Sequence, residues 1–209
     1  MTSIDGIYPN RSWRNQSGTY QKIRQSVIYW TNKAQNLFDA ADAAYKEAIE
    51  SRVVGKAKSE WIDFVYKYLA GMAVENLLKA IMIGQDKSLV GEYELSQSTK
   101  WHDVWTRHKS DRLKFLHECE SKSLQANERL TEDEKKFLSV VECYVVWVGR
   151  YPIPVTESAF RNDLDAIEDF EQAHPKLEDF DNLFQSAYGK LMWLAAKKER
   201  ESIAKTKLT

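Results

Sequence analysis

Proline is almost missing from the body of this chain: of four in 209 residues, none falls between Pro9 and Pro152. A backbone so free of the residue that lacks an N–H donor and blocks the helical ladder can carry long helices. Cysteine is as scarce. Cys119 and Cys143 are the only two, and no Cys-x-x-Cys pair exists. That excludes a disulfide-stapled scaffold, a redox motif and a zinc ribbon, so both read as reduced packing residues. No apolar run approaches the roughly 18 residues a membrane span needs. Charge of one sign is missing too, with 30 Lys+Arg against 31 Asp+Glu. No global field draws the chain to phosphate backbones or anionic lipid, and nucleic acid would have to be met by a local patch. The opening "MTSIDGIYPNRSWRNQSGTY" lacks the basic, apolar and small-residue zones of a signal peptide, and the expected location is the cytoplasm.

What is present is apolar residues at helical spacing. A hydrophobic content of 43% is enough for one substantial core. Ile23, Val27, Trp30, Ala34, Leu37, Ala41, Ala44 and Ala48 recur at threes and fours, which predicts a helix from about residue 20 to about 52. A second helix, from about 57 to 83, starts with a one-sided stripe of Trp61, Val65, Tyr68, Leu69 and Met72. It then becomes apolar on almost every side in "VENLLKAIMI", as a helix in the middle of a bundle does. Residues 84–98 read as a loop and 101–120 as a further helix.

Thr131-Glu132-Asp133-Glu134 has the form of a capping box and opens a helix whose face is Phe137, Val141, Tyr144 and Val148. Phe160, Leu164 and Ile167 mark another helix, interrupted at His174-Pro175 because a proline disfavours helical geometry in the residue before it. Phe180, Phe184, Ala187, Leu191 and Leu194 mark the last, which is expected to fray beyond Lys197. The predicted fold class is therefore all-α: an antiparallel bundle of five or six helices. A polar segment at 1–19, one helical domain at 20–196 and a charged tail at 197–209 complete the organisation.

Few constellations suggest chemistry. Glu75 and Lys79 stand i, i+4 with the acid first, the order that favours an ion pair, yet they sit in the most apolar helix of the chain. They read either as a structural pair at the bundle edge or as charges facing Arg150 or a solvent-filled cleft. "KWHDVWTRHKSDRLKFLH" gathers Lys100, Arg107, Lys109, Arg112 and Lys114 with three histidines and two tryptophans. Cations for phosphates and flat rings for bases suit a single-stranded nucleic-acid surface, and a solvated helix face explains the same residues. Arg112 and His117 lie about 140° apart on a straight helix, against a shared site. Glu171-x-x-His174 matches half of a di-iron carboxylate site, but no second such pair occurs, and His102, His108, His117 and Cys119 lack zinc spacing. Neither a metal nor a cofactor is expected.

The order of landmarks says more than any one of them. "ENLLKAIMI", a loop, "WHDVW", and a capped helix ending in "WVGRYPIP" together resemble the HEPN superfamily of small helical domains, over roughly residues 60–156. The resemblance implies a bundle that pairs as a homodimer with a cleft between protomers, where many relatives cleave RNA without metal through Arg-x4-6-His. It also implies a toxin or defence setting with a protein partner such as an antitoxin. By position Arg150 resembles the arginine of that motif, with Tyr151 beside it. The chain then departs from the pattern, since Val155, Thr156 and Glu157 stand where the histidine belongs. His102 is the substitute that the resemblance leaves. In this reading Arg150 and His102 are the catalytic candidates, and Glu75, Lys79, Tyr151, Arg107 and Arg112 line the cleft for RNA or a nucleotide. The other reading is a non-catalytic protein-interaction module in which Arg150, Glu75 and Lys79 form a structural network.

Overall fold

The computed structural model describes residues 26–53, 59–85, 116, 124–125, 128–145 and 157–206. Five helices carry nearly all of them: α1 (Val27–Val53), α2 (Ser59–Gln85), α3 (Glu132–Cys143), α4 (Glu157–Ala173) and α5 (Leu177–Thr206). No strand occurs among the described residues, so the chain is an all-α helical bundle. No helix among them is long and apolar enough to cross a membrane.

Small residues at a regular interval bring α1 and α2 together. Val27, Ala34, Ala41 and Ala48 recur every seventh position of α1 and all are buried. Tyr66, Ala70, Ala73, Leu77, Ala80 and Gly84 answer on α2 in steps of four and three, the seam of two helices winding gently about each other. The two run antiparallel: Trp30 meets Lys79, Tyr45 meets Tyr66, and Arg52 pairs with Asp63.

Helix α5 lies along α2 in the same direction, since the Tyr66 hydroxyl donates to Asp181 at 2.7 Å while Gly84 abuts Lys198. Helix α3 returns against both. Phe137 packs edge-on to Phe180 with ring centroids 4.9 Å apart, and Gly71 of α2 faces Val141 and Val145. Tyr66, Phe137, Phe180 and Phe184 thus form an aromatic centre. Tyr66, Phe137 and Phe184 are fully buried there, and burial of each stabilises the fold by about 1.5–3 kcal/mol. The second half of α2 is enclosed on nearly every side, as its composition predicts.

Two boundaries follow local sequence. At the start of α3, the Thr131 hydroxyl accepts from the Glu134 N–H at 3.2 Å and the Thr131 N–H donates to the Glu134 carboxylate at 2.6 Å. At His174-Pro175 the chain leaves α4 and re-enters a helix at Leu177. One boundary differs from expectation. Helix α5 does not fray at Lys197 but continues to Thr206. Lys198 explains part of this, because its stem is buried against Gly84 and its ammonium reaches Glu201 at 3.0 Å. The expected polar segment at 1–19, most of the loop at 84–98, and the helix at 101–120, apart from buried Leu116, lie outside the described residues.

Candidate functional site

Helix α2 places Glu75 and Lys79 on one face of its enclosed half, four residues apart. The Lys79 ammonium and the Glu75 carboxylate are 2.7 Å apart, with the side chains 13% and 7% exposed. This is an interior pair, not one at the bundle edge. Water is largely stripped from both ions, a cost that a close geometry and further contacts must offset. One such contact comes from α1: the Lys79 ammonium stands 5.0 Å from the centroid of the Trp30 ring, whose negative face attracts it. Beside the pair, buried Asn76 turns inward on its own helix, its amide donating to the Met72 carbonyl at 2.6 Å.

A second cation shares that indole. Lys33, one turn along α1, holds its ammonium 5.5 Å from the Trp30 ring and 5.6 Å from the Tyr29 ring. Tyr29 and Trp30 meet edge to face at 5.4 Å. The arrangement therefore combines two ammonium groups, one carboxylate and two aromatic faces across α1 and α2. Chemically it can hold an anion beside a flat ring.

Of the residues that the sequence puts forward, the structure brings Glu75 and Lys79 together. Arg150, His102, Tyr151, Arg107 and Arg112 lie outside the described residues. The half-match to a di-iron site is used otherwise. Glu171 accepts from the Lys67 ammonium at 2.6 Å and from the Tyr144 hydroxyl at 2.8 Å, while His174 stacks on Phe170. Among the described residues, no group of three or more His, Cys, Asp or Glu side chains could hold a metal ion.

Two polar clusters join helices whose pairing no local pattern in the sequence records. In the first, Lys67 lies over the Tyr144 ring and donates to its hydroxyl at 3.3 Å, tying α2, α3 and α4 through Glu171. Burial, followed by the hydrogen bond to Glu171 and that carboxylate's charge, pushes the Tyr144 phenol well above its usual range, so it stays a donor. In the second, Glu134 collects the Ser186 hydroxyl at 2.6 Å and the Lys190 ammonium at 2.7 Å from α5. The Trp30–Lys33 contact was within reach of the sequence, since residues three apart share a helix face.

No protein-family model, curated protein or solved structure matches the chain.

Proposed function

We propose that this helical chain acts as a HEPN-like homodimer that binds RNA or a nucleotide in a cleft floored by the Glu75–Lys79 pair. The observation that carries the reading is that charge pair, held in the interior of the most apolar helix. A bundle with no use for charge would lose nothing by well-packed apolar residues there, because a buried pair gives little net stability. A phosphate-binding cleft does use it: the ammonium supplies positive potential and the carboxylate fixes its place. Arg150 and His102 enter from the sequence alone. Arg150 would steady the phosphate, and His102 would move the proton of an attacking 2′-hydroxyl or a leaving group, which gives metal-independent cleavage in a toxin or defence role.

A second reading is favoured by how well the pair satisfies itself. Lys79 meets both Glu75 and the Trp30 ring, as a structural network requires, and the groove would then receive a protein. One experiment separates the two. Purified protein is titrated with labelled single-stranded RNA at rising salt, wild type beside Arg150→Ala and His102→Ala, and the same samples are followed for cleavage. The expected result is affinity that falls steeply with salt, weaker for Arg150→Ala, with any cleavage lost in both variants. Salt-insensitive self-association without RNA binding would favour the interaction module. Variants that match the parent in every RNA measurement would remove the basis for the cleft.

A further inference from the structure

Trp30 is shared by cations from two helices, and one of them stands clear of any carboxylate among the described residues. Between Ser26 and Phe38, Lys33 is the only charged residue of α1, and the first turn of the helix carries no acid. No ion pair reaches Lys33 among the described residues; its ammonium is engaged only with the Tyr29 and Trp30 rings, at 5.6 and 5.5 Å. Tyr29 is 38% exposed, although an aromatic ring in a bundle helix would ordinarily turn inward. Lys79 completes the group from below, fixed by Glu75. Among the described residues, the carboxylate of this cluster is thus already engaged, and the exposed charge is that of Lys33.

An exposed ring beside an unneutralised ammonium is what one nucleotide of a single strand of nucleic acid requires. Bases stack on the rings whatever their identity, while lysines track the phosphates. We infer that Tyr29, Trp30 and Lys33 form a stacking platform for one nucleotide of single-stranded RNA: Tyr29 under the base, Lys33 on the adjoining phosphate, and Trp30 holding both cations in place. The inference rests on the RNA-binding reading above and gives it a location at the start of α1.

The test uses full-length protein and a labelled single-stranded RNA of mixed sequence, about 12 nucleotides long, with affinity measured by anisotropy over a range of salt. Tyr29→Ala should weaken binding about fivefold or more, since a stacked base contributes at least that much, and leave the salt slope unchanged. Lys33→Ala should weaken binding and reduce the slope of log K against log salt by about 0.7, the value for one phosphate on a single strand. Lys46→Ala, on the same helix but paired with Asp42 at 2.6 Å, should change neither. Tyr29 and Lys33 are exposed, so both variants should keep the parent's thermal midpoint, and Tyr29→Phe should restore the affinity that Tyr29→Ala loses. Parent-like affinity in Tyr29→Ala and Lys33→Ala, with RNA still bound, would overturn the platform and leave the RNA reading intact. A parent that binds no RNA overturns both.

Discussion

Glu134 accepts from three donors and donates to a fourth partner, and shows what a single residue contributes to this fold. Its carboxylate is almost wholly buried and takes the Thr131 N–H, the Ser186 hydroxyl and the Lys190 ammonium, while its own N–H is capped by Thr131. Burial alone would push its pKa up. The contacts with Lys190, Ser186 and Thr131 more than reverse that and hold it below the ordinary 4.5. A lowered folded-state value means that the charge stabilises the fold fully above the ordinary carboxylate range and ceases to as pH falls through the lowered value. Glu134→Ala should therefore cost about 2–4 kcal/mol at neutral pH, read from urea unfolding. Glu134→Gln should flatten the acid limb of the stability curve below about pH 5; a limb that parallels the parent's would refute this account. Half of the arrangement was legible, because a capping box is written within four residues. The other half was not, since Ser186 and Lys190 lie 52 and 56 positions away and no local pattern records which helix will arrive.

Helices in this bundle are fitted by the absence of side chains as much as by their presence, and the glycines of α2 and α5 give opposed expectations. A Cβ at Gly71 would overlap Val145 Cγ2 and come within 3.0 Å of the Val141 carbonyl, so α3 would have to move. Gly71→Ala should destabilise by about 1–3 kcal/mol despite the better helix propensity of alanine. A Cβ at Gly189 meets nothing within 4 Å, so Gly189→Ala should gain about 0.5–1 kcal/mol from the stiffer unfolded backbone and helix preference. Equal effects of one sign in thermal unfolding would show that propensity, not fit, decides both. Periodicity made the helices themselves readable, and the greasy run in α2 correctly announced its central place. The extension of α5 to Thr206 was hidden because "KKERES" reads as a solvated tail. Only the close approach of Gly84 reveals that the Lys198 stem is core. For the candidate site, Glu75 and Lys79 were legible from their spacing, and Lys33 from its place one turn from Tyr29 and Trp30, whereas the meeting of Trp30 with Lys79 across two helices was not.

At the scale of the molecule, α4 is the least enclosed of the five helices among the described residues. Leu164 is 38% exposed, and near its C-terminal end Phe170 and Glu171 tie α4 to the bundle. His174-Pro175 separates it from α5, so no continuous helical ladder holds it in place. Glu171 is one tie of this end, joining Lys67 of α2 to Tyr144 at the end of α3. Burial raises the Glu171 pKa, but the hydrogen bonds from Lys67 and Tyr144 and the Lys67 charge outweigh it and leave a net lowering. The same sign applies as at Glu134: the clamp holds above the ordinary carboxylate range and opens as pH falls through the lowered value. Because Glu171 is half exposed, the solvent-screened pair should contribute no more than about 1 kcal/mol to global stability. Its effect should be local. In Glu171→Gln, and in Lys67→Met, hydrogen exchange of the α4 amides should quicken about fivefold while α1, α2 and α5 keep the parent's protection. The double variant should add little to either alone, since both remove one interaction. If protection falls evenly across all five helices, α4 unfolds only with the whole bundle and Glu171 is no clamp.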